Sequence, residues 1–266
     1  MIFHSSFEYY YLWLPLIGFM IGFIGSLIGG GGGFFFIPVL TLIFHVPAQI
    51  AVATSLAATL PIGIVGSFGH YRNDNINIRL GFAFAIAGIA GAISGASLTE
   101  LMTTRQLKIS FGIYSIMMAL LMLVSSWRTK RAEANGIEIP ERSTLQKITR
   151  GSFFGFLSGI ITGTFGTSGT APVQAGMFAM RMPIKLVVGT SLMVSAVNTF
   201  SAMGAHFLVG NIDLTLIIFL TAGTIIGALI GPKLLAGIKI GRAEGPIRFY
   251  YALGMIVFGI IMIISR

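Results

Sequence analysis

Between Glu8 and Arg72 the chain runs for 63 residues without one Asp, Glu, Lys or Arg. A helix needs about 20 residues to cross the hydrocarbon core of a bilayer. Two crossings would therefore leave roughly twenty residues over. In the middle of that surplus stand Gly29-Gly30-Gly31-Gly32-Gly33, followed by Phe34-Phe35-Phe36-Ile37-Pro38. Consecutive glycines do not hold a helix, at about 1 kcal/mol each relative to alanine. The run thus predicts one helical arm over 12–28, a break at the glycines, and a short second arm over 34–44. Pro38 is expected in the first turn of that second arm, where a missing N–H costs nothing.

The rest of the composition agrees with a lipid setting. Apolar residues make up 55% of the chain, charged residues 9%, and the mean hydropathy is +0.90. Soluble domains carry about 25% charge, and so apolar a surface would aggregate in water. The chain reads as a polytopic membrane protein. With no cysteine, disulfides and thiolate metal sites are excluded. The net charge of +9 resides in short connectors between apolar runs, so it orients spans and does not form a nucleic-acid face. The first thirteen residues hold Glu8 and no Lys or Arg; without a basic leader, the first membrane segment is expected to be retained. No metal-protease helix, nucleophile elbow or carboxylate pair occurs, so an enzyme is not expected, and neither is a cofactor or metal. Gly29 to Gly33 is not a phosphate loop, because no Gly-Lys-Ser/Thr follows it.

Further spans are expected near 48–69, 80–102 and 107–127. A polar segment follows from Arg128 to Arg150, with nine charges in 23 residues. The pattern then restarts: 151–180 is broken by Gly163, Gly166 and Gly169 ahead of Pro172, and spans follow near 186–206, 214–236 and 247–265. Pro47 to Ser55 (PAQIAVATS) matches Pro183 to Ser191 (PIKLVVGTS) at an offset of 136. At that offset His70 meets His206, Asn75 meets Asn211, and Gly91 and Gly95 meet Gly227 and Gly231. Pro38 and Pro172 align at 134. The division expected is a first membrane repeat over 1–127, a cytoplasmic basic connector over 128–150, and a second repeat over 151–266.

Charge decides between two topologies. If each broken segment crosses once, the connectors carry nine Lys/Arg on one side and eight on the other. If each is a re-entrant hairpin, fourteen share one side and only Arg105, Lys108 and Arg266 oppose them. Basic residues favour the cytoplasmic side of short loops, so the second topology is preferred, with both termini outside. The expected fold is an all-α polytopic membrane protein of two inverted-topology repeats. Each repeat is a glycine-broken re-entrant helical hairpin plus three transmembrane helices. Broken helices at matching places in two such halves mark a transport site.

At a restarting helix, unpaired N–H groups and the positive dipole end face the break and suit an anion. The candidate substrate-binding residues are Gly31, Gly32 and Gly33 at the first break and Thr167, Ser168, Gly169 and Thr170 at the second. Thr54, Ser55, Thr190, Ser191 and Asn198 in neighbouring spans join them. Glycines and small hydroxyl residues also serve ordinary helix packing. His70 and His206 are read as polar end-caps bonding their connectors, with a gating or proton-linked role as the alternative. Glu100 is read as interfacial. The pairs Gly18-Gly22, Gly91-Gly95, Gly155-Gly159 and Gly223-Gly227 permit close helix crossings, with a homodimer left open.

The break GSLIGGGGGFFFIPVL, the paired Thr54-Ser55-Leu56 and Thr190-Ser191-Leu192, and the run Asn198, His206, Gly210-Asn211-Ile212-Asp213 resemble the sulfite exporter TauE/SafE family over about residues 12–265. Leu214 stands where members of that family often carry an aromatic residue. The resemblance implies a multi-pass permease of the bacterial cytoplasmic (inner) membrane that handles sulfite, sulfonates or related small anions. Secondary transport by alternating access leads; a passive anion channel and a non-transporting scaffold are the alternatives.

Overall fold

The structure is a computed structural model that describes residues 2–28, 32–134, 144–180, 182–235 and 244–265. Among these, ten α-helices carry the fold: α1 Trp13–Ile28, α2 Gly33–Pro38, α3 Ala48–Tyr71, α4 Ile78–Leu101, α5 Thr104–Ala134, α6 Thr144–Phe165, α7 Thr170–Phe178, α8 Ile184–Val209, α9 Leu214–Leu235 and α10 Glu244–Ile264. Five apolar stretches are long enough to cross a membrane: Tyr9–Ser26, Ala48–Tyr71, Ile78–Leu101, Thr104–Val124 and Lys185–Leu208. Large apolar side chains such as Ile86, Phe153, Phe200 and Ile218 are exposed on the outside, as lipid contact requires. The polar segment expected as a connector is helical at both ends, since α5 runs to Ala134 and α6 begins at Thr144.

Both expected breaks are present. Gly32 at φ +67° precedes α2, and Gly169 at φ +58° precedes α7. Left-handed backbone at these points is cheap only for glycine. Pro38 corrects the expectation of a first-turn proline: it is the last residue of α2 and is followed by a π-helical turn, Val39–Ile43. Lacking an N–H, it cannot donate to the Phe34 carbonyl four residues back, and the arm continues through the π turn to Ile43. Pro172 is the third residue of α7, so the left-handed caps, and not the prolines, are the equivalent points of the two breaks.

Each broken segment folds back on itself. Tyr11, before α1, has its ring 6.5 Å from that of Phe44, just after the π turn. In the second half a β-carbon on Gly176 of α7 would meet the Phe154 ring of α6. Both segments are therefore hairpins with their glycines at the tip.

The halves pack by exchange. Arm α1 lies along α9, with Gly18 against Leu220 and Gly22 against Thr224; arm α6 lies along α4, with Gly155 against Phe84 and Gly159 against Gly88. The glycine pairs singled out in the sequence thus seat the arm of each half on a helix of the other. In lipid no hydrophobic force drives helices together, so such packing depends on close backbone approach. Helices that the 136-residue sequence offset matches meet antiparallel. Gly63 of α3 faces Ala196 of α8 while Gly66 faces Leu192. Likewise Gly112 of α5 packs on Gly259 and Ile263 of α10, and Ser115 donates to the Met255 carbonyl.

A two-residue parallel ladder joins the N-terminal segment (β1, Ile2–Phe3) to the α8–α9 connector (β2, Ile212–Asp213). Asp213 Oδ1 accepts from the backbone N–H groups of Ser5 and Thr215. The Asp213 carboxylate is buried as well as bonded.

Candidate functional site

The two hairpin tips meet in the middle of the fold. A β-carbon on Gly33 would lie 2.6 Å from Thr59 Oγ1, 3.2 Å from the Gly166 carbonyl oxygen and 3.2 Å from the Ser168 nitrogen. Only a glycine permits that approach of the first break to the second. Ser55 Oγ donates to the Gly166 carbonyl at 2.8 Å and lies 3.2 Å from that of Gly33.

Non-helical backbone at membrane depth has to be satisfied by protein, and hydroxyl side chains do this here. Ser195 Oγ donates to the Ser168 carbonyl and Ser158 Oγ to that of Gly169, both at 2.6 Å. Asn198 Nδ2 in turn donates to Ser158 Oγ at 3.1 Å. Ser168 and Thr170 hydroxyls are 3.2 Å apart. At the C-terminal end of α6, Thr99 Oγ1 lies 3.2 and 3.0 Å from the Gly163 and Thr164 carbonyls. His206 Nε2 lies 2.8 Å from the Gly163 carbonyl.

The cluster is neutral and closed. Thr54, Ser55, Thr167, Ser168, Thr170, Thr190, Ser191 and Asn198 are each at most 4% exposed, and no Lys or Arg is buried among the described residues. Several polar atoms in this shell nevertheless lack a partner: the hydroxyls of Thr54, Thr59, Thr167 and Thr199, and Asn198 Oδ1. An unsatisfied buried polar group costs about 1–3 kcal/mol. Tyr114 is buried beside them, its ring stacked on Phe165 at 5.2 Å.

Most of the candidates from sequence converge here. Gly32, Gly33, Ser55, Ser168, Gly169, Thr170 and Asn198 belong to the two tips or touch them. Gly31 lies outside the described residues. Thr190 is used elsewhere: its Oγ1 accepts from the Asn77 backbone at 2.9 Å and anchors the α3–α4 connector. Ser191 accepts from Gln174 of α7 at 3.3 Å. His206 differs from its expected part, since its ring bonds the end of α6 and not the connector. His70 is half-buried with Nδ1 unpartnered. Glu100 is exposed at the end of α4.

Sequence reading missed Thr59, Thr99, Ser158 and Ser195. A signal for three of them was present. Ser55 and Thr59, Ser158 and Thr162, and Ser191, Ser195, Asn198 and Thr199 fall at the spacing that puts residues on one helix face.

A family model described as "Sulfite exporter TauE/SafE" matches residues 14–262. The "Probable membrane transporter protein YdhB" of Bacillus subtilis (strain 168) is 31% identical over 220 residues, covering 82% of this chain and 87% of that protein. The "Probable membrane transporter protein YunE" of the same organism is 27% identical over 234 residues, covering 82% and 86%. The "Probable membrane transporter protein MJ0441" of Methanocaldococcus jannaschii is 29% identical over 212 residues, covering 76% and 75%. No solved structure matches the chain.

Proposed function

Because the chain belongs to the sulfite exporter TauE/SafE family of membrane transporters, we propose that it moves small anions, sulfite, sulfonates or related sulfur oxyanions, by alternating access around the two helix breaks. The protein is a multi-pass membrane transporter and not an enzyme. The bacterial cytoplasmic membrane is the location this reading assigns to it.

One observation carries the reading: the tips of both hairpins touch at Gly33, Gly166 and Ser168 in a buried, neutral, hydroxyl-lined centre. Backbone N–H groups and hydroxyls bind oxyanions without a full charge. A site of that kind releases its cargo as readily as it binds it. The antiparallel meeting of α3 with α8 and of α5 with α10 supports inverted repeats. Equivalent helices run antiparallel when the two-fold axis lies in the membrane plane, and parallel when it lies along the normal. Two inverted halves around one site can exchange conformations and open it to either face in turn. Closure of the centre favours this over an open channel, which needs a continuous path.

The experiment is counterflow of labelled sulfite, and separately of a sulfonate, in proteoliposomes. Saturable counterflow that is lost in folded Ser168→Leu is the expected result. Folded wild-type protein that moves neither anion would end the sulfur-oxyanion reading, and non-saturating flux without counterflow would favour a channel.

A further inference from the structure

We propose that Glu100 and His206 form a proton-binding pair that reports the proton activity at one membrane face to the second helix break. This deepens the transport reading, and it rests on that reading only for its consequence.

The His206 ring is fully buried, and its Nε2 is 2.8 Å from the Gly163 carbonyl oxygen. A carbonyl only accepts, so Nε2 carries the hydrogen in the neutral ring and Nδ1 is left as a bare base. That Nδ1 has no hydrogen-bond partner. A β-carbon built on Gly210 would lie 3.3 Å from His206 Nδ1 and 3.1 Å from Glu100 Oε1. Base and carboxylate thus approach one point over Gly210, where a β-carbon would also press on the His206 carbonyl oxygen at 3.0 Å, so only a glycine sits there without pushing them apart. Glu100 is exposed at the end of α4, on the residue next to Thr99, which bonds the same Gly163 carbonyl.

Other charges around the ring are accounted for among the described residues. Arm α6 presents the Gly163 carbonyl, and the α8–α9 connector presents the Gly210 backbone. Asp213 further along is engaged by Ser5 and Thr215. Glu100 is the charged side chain at Gly210.

The step is a single proton transfer. A hydronium at the membrane face gives up one proton to Nδ1 of His206 and leaves water, and the imidazolium that results lies near the Glu100 carboxylate, with Nε2–H still on Gly163. The imidazolium is the stronger donor, so protonation tightens the hold on the last turn of α6, immediately before the break. The arrangement is one-sided. At the repeat offset His70 matches His206, but Ala236 stands opposite Glu100. The second half supplies a histidine to the pair and the first half supplies the acid.

The test is ¹⁵N NMR of ring-labelled histidine in lipid nanodiscs, with His206 assigned from His206→Gln. The expected result is an Nε2–H neutral tautomer whose protonation midpoint falls by about one pH unit, about tenfold in proton affinity, in Glu100→Gln, while His70 stays in place. Gly210→Ala is a second probe: its φ of −102° and ψ of −175° suit alanine, and the added methyl would press on the His206 carbonyl, Glu100 Oε1 and His206 Nδ1 at 3.0–3.3 Å and drive carboxylate and ring apart; it should lower the midpoint in the same direction. An Nδ1–H tautomer, or a His206 midpoint unmoved by both variants, would overturn the pair. Sulfite counterflow on the same samples keeps the two ideas separate: a silent wild type removes the cargo assignment and leaves the titration standing.

Discussion

Ser55 Oγ stands 2.8 Å from the carbonyl oxygen of Gly166 and 3.2 Å from that of Gly33. One hydroxyl on α3 therefore bridges the second hairpin tip to the first. A single hydrogen cannot serve two acceptors fully, so the contact can change partner with little cost. Side-chain hydrogen bonds between membrane helices contribute on the order of 0.6 kcal/mol. Ser55→Ala is expected to lower stability by about that amount and to lower anion flux several-fold. Thermal unfolding in detergent and proteoliposome flux check the two effects separately; unchanged flux would make the bridge purely structural.

The contact of Gly33 with Thr59 gives a coupled pair. A methyl at position 33 would lie 2.6 Å from Thr59 Oγ1 and 3.2 Å from the Gly166 carbonyl. Gly33→Ala is expected to destabilise by about 1–3 kcal/mol, as overpacking does. Adding Thr59→Ala removes the nearer atom, so the double variant should recover part of the loss. A double-mutant cycle on unfolding free energies measures the coupling, and strict additivity would count against this geometry.

Glycines of the crossing helices should differ sharply from glycines on open surface. A β-carbon on Gly91 would overlap the Phe156 carbonyl, whereas nothing lies within 4 Å of one on Gly69 or Gly204. Gly91→Ala should lose about 1–3 kcal/mol. Gly69→Ala and Gly204→Ala should gain about 0.4–1 kcal/mol by restricting the unfolded chain. The melting temperatures of the three variants decide the matter.

The absence of native cysteine makes topology accessible by single-cysteine labelling. Inverted repeats place Asn73, in the α3–α4 connector, and Asn211, in the α8–α9 connector, on opposite faces. The β1–β2 pairing puts Phe3 beside Asp213, so a label at Ser6 should behave as one at Asn211. An impermeant maleimide applied to intact cells is expected to modify positions 6 and 211 and spare 73. Equal labelling at 73 and 211 would contradict the inversion.

Much of this was legible in one dimension. The uncharged run from Glu8 to Arg72 with its glycines predicted two arms and a break, and α1 and α2 lie where it put them. The repeat at 136 predicts which helices are equivalent, and the labelling experiment tests it. The place of Pro38 was not legible, because whether a proline falls in the first turn of a short arm or in its middle depends on where the left-handed cap falls, and five adjacent glycines leave that open.

Local chemistry along the chain decided the elements: hydropathy set the spans and glycine runs set the breaks. Partnership was decided only in three dimensions. That Ser195 serves Ser168, that Thr190 serves Asn77, and that His206 serves Gly163 follows from which helices lie side by side. In lipid that choice comes from backbone proximity at glycine and from unmet carbonyls far away in sequence, neither of which a residue's own neighbours along the chain encode.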